Sequence, residues 1–334
     1  MPMNDLERFF GVSLAALLAA GCALTSHAVQ PSSLGTVRSG AELEAAVDQP
    51  GPLTVETVVS TDWAVDRGGL INLDSPKAKA AGLTEGDEPI EVYFHAIRHP
   101  TQGLFIIDTG VEVAMRDRPD EAALMQSAVV KRYLHPEKMK FTAPLGEWLR
   151  AKGEKLQGVL FTHLHTDHLS GLRDVPRGTP LYNGPGEAHE RALVNFFLSD
   201  VVDSAFEGQA PLSEWQFAAD PSGQFAGVID VFGDGSLWAI SVPGHTSGST
   251  AYLARTEAGP VLFTGDTCHT RWGWENGVEP GGFTADHAKN LEALEKLRAL
   301  AARHPSMQVR LGHQALAPAA PAAQAAPSAP AAAP

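Results

Sequence analysis

Seven side chains able to bind a metal stand at or just past the ends of strand-like runs scattered between positions 163 and 313, and that placement constrains the fold more than any other feature. The runs begin with "GLFIIDTG" at 103, "GVLFTHLH" at 158, "LWAISVPGH" at 237, "AYLARTEAGPVLFTGD" at 251 and "VRLGH" at 309; each is apolar or β-branched and bounded by turn residues. His163, His165, Asp167, His168, His245, Asp266 and His313 follow four of them. Such residues can meet only if the strand ends gather along one edge of a layered α/β fold, where loops on a rigid support carry the chemistry. Within the fourth run, "TEAG" predicts a hairpin turn. The stretch "ADHAKNLEALEKLRALAARH" predicts a helix whose core stripe is Leu291, Leu294, Leu297 and Ala301, stopped by Pro305.

The ligand types narrow the chemistry. His163, His165 and Asp167 alternate, so they cannot share a helical face, but a turn leaving a strand can fan them around a point. Imidazole and carboxylate without thiolate suit zinc, and also iron, cobalt or manganese, and keep coordination positions open for water. Seven donors exceed the three of a mononuclear catalytic site, so two divalent cations per chain are expected, with Asp266 bridging a pair roughly 3.5–4 Å apart. The natural division gives His163, His165 and His245 to one ion and Asp167, His168 and His313 to the other.

Composition removes other function classes. The chain of 334 residues is 44% hydrophobic with a formal net charge of -14, a balance that fits a globular enzyme and disfavours nucleic acid as a partner. Its two cysteines, Cys22 and Cys268, make neither a disulfide framework nor a Cys-x-x-Cys pair. Cys268 reads as a buried thiol. The apolar segment from Phe9 to Leu24, followed by "SHA", makes residues 1–28 an expected export signal cleaved after Ala28, which implies a periplasmic or secreted protein. The stretch "LAAGC" also resembles a lipoprotein signal that would anchor the chain to a membrane through Cys22. Residues 317–334 are an Ala/Pro tract expected to remain an extended, disordered tail. One catalytic domain is expected over 40–316.

In order along the chain, "HLHTDH", "PGHT" at 243, "TGDT" at 264 and "LGHQ" at 311 resemble the metallo-β-lactamase superfamily across residues 90–316. The resemblance implies an αβ/βα sandwich of two mixed sheets flanked by helices, with the metals at one edge. "IDTG" at 107 matches too and implies that Asp108 supports the metal loop. The segment after Asp266, with its short loop, "GF" turn, helix, strand and "GH", most resembles the N-acyl-homoserine lactonases. Those enzymes often carry a substrate-contacting Tyr three residues after the bridging Asp; here that position is His269, whose imidazole can still donate a hydrogen bond.

The resemblance implies hydrolysis of a small-molecule lactone by water activated between two cations, with Asp167 carrying the proton to the leaving alkoxide and His269 either orienting the substrate or lining its pocket. Glyoxalase-II-like thioesterase, phosphotriesterase and β-lactamase activities are the alternatives on the same dinuclear site. Phe196, Phe197, Leu198, Trp272 and Trp274 are candidates for an apolar groove and equally for ordinary packing. His95, His99, His135, His189, His287 and His304 belong to no ligand pattern and read as structural.

Overall fold

In this computed structural model, residues 22–316 are described. Eight strands form the larger sheet in the spatial order Val29–Pro31, Leu212–Glu214, Leu181–Asn183, Leu156–Leu160, Gly103–Ile107, Asp87–His99, Thr54–Asp66 and Lys140–Phe141. Six form the smaller sheet in the order Gln308–Arg310, Gly259–Phe263, Thr250–Thr256, Leu237–Ser241, Gly227–Asp230 and Thr36–Arg38. A separate two-stranded pair joins Cys22–Ala23 to Arg191–Ala192.

Strand alternation explains why the sheets stack. In Gly103–Ile107, Phe105 and Ile107 point into a core shared with Leu237, Ala239, Tyr252, Val261 and Phe263 of the smaller sheet. Their neighbours Leu104 and Ile106 point the other way, into a second core with Trp148, Val201, Val202 and Phe206 from the helices Leu145–Lys152 and Asn195–Phe206. The smaller sheet repeats the device, with Trp238, Ile240, Leu253 and Leu262 packed on Leu294, Leu297 and Leu300 of the helix His287–Arg303. Because both faces of each sheet are covered, the central strands read as continuous apolar runs. The result is helix, sheet, sheet, helix, the expected αβ/βα sandwich.

All five predicted strand runs form strands, and Thr256 pairs with Gly259 around the expected two-residue turn. The predicted helix starts at the N-cap Asp286, whose side chain accepts from the Lys289 amide, and ends at Arg303. Its buried face is centred on Ala293, Leu294, Leu297 and Leu300, while Leu291 and Ala301 are only half-buried. The structure adds a long antiparallel pair, Thr54–Asp66 with Asp87–His99, that the runs singled out in the sequence do not include.

The domain begins before residue 40. Strands Val29–Pro31 and Thr36–Arg38 complete the two sheets, so pairing partners far along the chain draw this segment into the domain. Residues 22–28 of the expected export segment also pack onto the protein: Leu24 and Thr25 are buried, and the Ser26 amide donates to Asp203 at 2.9 Å. The remainder of that segment and the Ala/Pro tract over 317–334 lie outside the described residues. Among the described residues, no helix is long and apolar enough to cross a membrane.

Candidate metal centre

Pairing direction brings the ligand-bearing turns to one edge. Leu156–Leu160 runs parallel to Gly103–Ile107, and Gly259–Phe263 runs parallel to Gln308–Arg310. Leu237–Ser241 shares the direction of Gly259–Phe263, because each is antiparallel to the strand between them, Thr250–Thr256. The turns after these strands therefore deliver His163, His245, Asp266 and His313 to neighbouring positions, with Asp108 beside them.

All seven residues come together. Ligand atoms of His163, His165, His245 and Asp266 lie within 4.8 Å of one another, as do those of Asp167, His168, Asp266 and His313. Asp266 belongs to both sets. Its Oδ2 lies 3.6 Å from His163 Nε2, 3.3 Å from His168 Nε2, 3.6 Å from His245 Nε2 and 3.3 Å from His313 Nε2. His165 Nδ1 meets His245 Nε2 at 2.9 Å, and Asp167 Oδ2 lies 3.1 Å from His313 Nε2. His165 and Asp167 are half-buried while the other five are buried, so the site opens on their side.

The surroundings orient these rings. Asp108, in the left-handed region at φ 55°, accepts from the Thr162 amide at 2.8 Å through Oδ1. Its Oδ2 accepts from Thr162 Oγ1 at 2.9 Å and faces His168 Nδ1 at 2.8 Å. With the proton on Nδ1, Nε2 of His168 is left to face a cation, the usual carboxylate–histidine–metal relay. His313 Nδ1 faces the Glu91 carbonyl at 3.0 Å, so the long strand absent from the sequence reading braces a ligand. Gly312 permits the approach of Asp266: a Cβ there would sit 2.1 Å from Asp266 Oδ1.

Burial disfavours protonation of His163 and His245 and holds both well below the usual imidazole range, with neighbouring histidines adding to the effect. Burial acts on His168 in the same sense, yet Asp266, Asp108 and Asp167 outweigh it and hold that ring well above the range. His313 is raised to about 10 against its burial by Asp266 and Asp167. For Asp266, burial favours the neutral acid, but His269, His313, His168 and His163 keep it ionised. His168 and His313 do the same for Asp167.

The donor set fits divalent cations. His163 Nε2, His168 Nε2 and Asp266 Oδ1 are buried without a hydrogen-bond partner, a costly condition that cations shared between the two ligand sets would relieve. The ligands are nitrogen and oxygen atoms only, as zinc, iron, cobalt and manganese accept.

His269 lies inside the cluster, with Nε2 2.9 Å from Asp266 Oδ2 and Nδ1 3.2 Å from the Leu70 carbonyl. Cys268 is buried, and burial pushes its thiol up to about 12, which makes it inert. Of the candidates for an apolar groove, Phe196 and Phe197 are exposed, and Leu198 packs on the core. Trp274 packs on the smaller sheet's outer face, while Trp272 lines a 690 Å³ cavity with Trp63, Ile90 and His313. His95, His99 and His304 are fixed by Thr57, Asp234 and Asp48. A buried carboxylate, Glu187, holds the Leu164 and Gly248 amides beside the site and was not among the sequence candidates, because nothing in its local sequence marks it.

The family model described as the metallo-beta-lactamase superfamily matches residues 88–313. N-acyl homoserine lactonase AttM of Rhizobium johnstonii is 30% identical over 220 residues, 65% of this chain and 80% of that protein. Gamma-lactamase MBL2 of Gibberella moniliformis is 33% identical over 143 residues, 40% of this chain and 59% of that protein. Among solved structures, an N-acyl homoserine lactone hydrolase with N-hexanoyl-L-homoserine bound at its catalytic metal center superposes with a TM-score of 0.53 at 16% identity, covering 79% of this chain and 94% of that one. That last likeness concerns the fold.

Proposed function

Because the chain belongs to the metallo-beta-lactamase superfamily, we propose that it is a dinuclear hydrolase that opens the ring of a lactone of the N-acyl-homoserine type. The observation that carries this reading is the pair of four-ligand sets sharing Asp266, in a chain that aligns with 80% of a lactonase. When bound, two divalent ions, zinc by preference, supply a Lewis acid for the carbonyl and a nucleophile from water at neutral pH. His163, His165 and His245 would hold one ion and Asp167, His168 and His313 the other, with Asp266 available to both.

The remaining work belongs to the protein. Water oxygen adds to the lactone carbonyl carbon, the ring C–O bond breaks, and the departing alkoxide oxygen takes up a proton. Asp167 carries that proton: its Oδ2 lies at the open side of the site, and a carboxylate there can take it from the attacking water and pass it on. His269, with Nδ1 against the Leu70 carbonyl and Nε2 2.9 Å from Asp266 Oδ2, orients the substrate by contact with its ring. The products are a carboxylate and an alcohol. The gamma-lactamase relative supports a second reading, cleavage of a lactam at the same centre.

We place the enzyme in the periplasm or outside the cell, on the strength of the apolar segment over Phe9–Leu24. The experiment for the activity is a panel of acyl-homoserine lactones, lactams, thioesters and phosphotriesters, with metal quantification on the same sample. Lactone turnover at least tenfold above the other classes, with two metals per chain, is the expected result. A preference for another class would reject the lactone assignment, and one metal or none would reject the dinuclear centre.

A further inference from the structure

Asp108 steadies His168 and the Thr162 amide just before His163, but it makes no bond to the loop that carries His245. That task falls to a different carboxylate. Glu187 sits in the turn Glu187–His189, which follows the strand Leu181–Asn183 next to the strand Leu156–Leu160 that leads to His163. Its side chain is 1% exposed, and each oxygen serves a different loop. Oε2 accepts the amide of Leu164, the residue between His163 and His165, at 3.0 Å. Oε1 accepts the Gly248 amide at 2.8 Å and the Thr246 hydroxyl, both in the loop just after His245.

The two loops meet where Glu187 joins them. His165 Nδ1 and His245 Nε2 are 2.9 Å apart, and the Thr250 amide donates to the Thr162 carbonyl at 2.8 Å. Backbones also approach closely: a Cβ on Gly184 would lie 1.7 Å from the Gly248 carbonyl oxygen. A carboxylate is a costly group to keep here. Burial pushes its pKa up to about 7, although Thr246, Leu164 and Gly248 pull the other way. Glu187 touches no metal-facing side chain, and hydrolysis as described above makes no use of it.

We propose that Glu187 is a positioning residue that sets the spacing between the His163–His165 loop and the His245 loop, and so the geometry of the ligand set His163, His165, His245 and Asp266. This role rests on the reading of the cluster as a dinuclear metal centre. Glu187→Gln tests it with little change in size. One carboxylate oxygen becomes an NH2 group, which faces an amide donor in either orientation, so one loop loses its acceptor.

The chain is stripped with a chelator and titrated with zinc alone, and thermal unfolding is recorded on the stripped protein. For Glu187→Gln we expect one of the two zinc equivalents to weaken by about 10–100-fold, the scale of an outer-sphere partner. The other equivalent stays within about twofold, and the stripped protein melts close to wild type. Thr246→Val, which removes a single donor, shows a smaller loss in the same equivalent. Two equivalents bound as tightly as in wild type would overturn the role. So would parallel weakening of both with a large fall in melting temperature, the signature of a merely structural group. Should wild type itself bind no zinc, the metal centre fails and this role with it; a wild type that binds two ions keeps the tests separate.

Discussion

Replacing Asp108 by Asn alters its bonds to Thr162 and His168 with little change in size. Asn tolerates the left-handed φ of 55° at this position, so the backbone has no reason to move. In the native protein Asp108 Oδ1 accepts the Thr162 amide at 2.8 Å, while Oδ2 faces His168 Nδ1 at 2.8 Å. If the Asn oxygen keeps the Thr162 amide, its NH2 group points at His168 Nδ1. The ring must then accept at Nδ1 and carry its proton on Nε2, the atom needed for the cation. If the amide turns over, the buried Thr162 amide loses its acceptor instead. A lost hydrogen bond to a charged group is worth about 1.5–3 kcal/mol. At about 1.4 kcal/mol per decade, this corresponds to roughly 10–100-fold in metal affinity. The loss should fall on the ion held by Asp167, His168 and His313, leaving the other equivalent within about twofold. Competition against a chromophoric chelator resolves the two equivalents. Wild-type affinity for both would refute the claim that Asp108 sets the His168 tautomer, and loss of both would refute its selectivity.

Gly312→Ala places a Cβ 2.1 Å from Asp266 Oδ1 and should lower kcat/KM by at least about 100-fold (roughly 2.7 kcal/mol) with its circular dichroism retained. Gly282→Ala, whose Cβ meets only the Gly68 oxygen at 3.8 Å, is the control and should leave both unchanged. A chain starting at Val29 loses buried Leu24 and the Thr25 and Ser26 bonds to Asp203. At about 2 kcal/mol for the leucine and about 1 kcal/mol per hydrogen bond, it should melt several degrees below a chain starting at Cys22. Equal melting temperatures would show that this segment is dispensable. Burial lowers His95 to about 3 from 6.5. Between these values the unfolded chain binds a proton that the native ring refuses, so stability is lost as the pH is lowered, by about 1.4 kcal/mol per unit. Denaturant titrations from pH 7 to 4 should show a shallower fall in His95→Gln than in wild type, and parallel curves would assign the acid sensitivity elsewhere.

The donor types and the local elements that present them are legible in the residue pattern. Period-two and apolar runs specify the strands that lead to His163, His245, Asp266 and His313, because side-chain alternation is a local property of the backbone. The residue types specify a nitrogen and oxygen donor set with no thiolate. Only the tertiary structure decided which groups brace that set. Glu187 acts across more than 50 residues on Gly248, and Glu91 reaches His313 from a strand more than 200 residues earlier. No local pattern encodes such contacts, since they exist only after parallel pairing of non-consecutive strands has brought distant turns to one edge. The same holds for Val29–Pro31 and for the exposed Phe196 and Phe197, whose partners or lack of them depend on how the layers close.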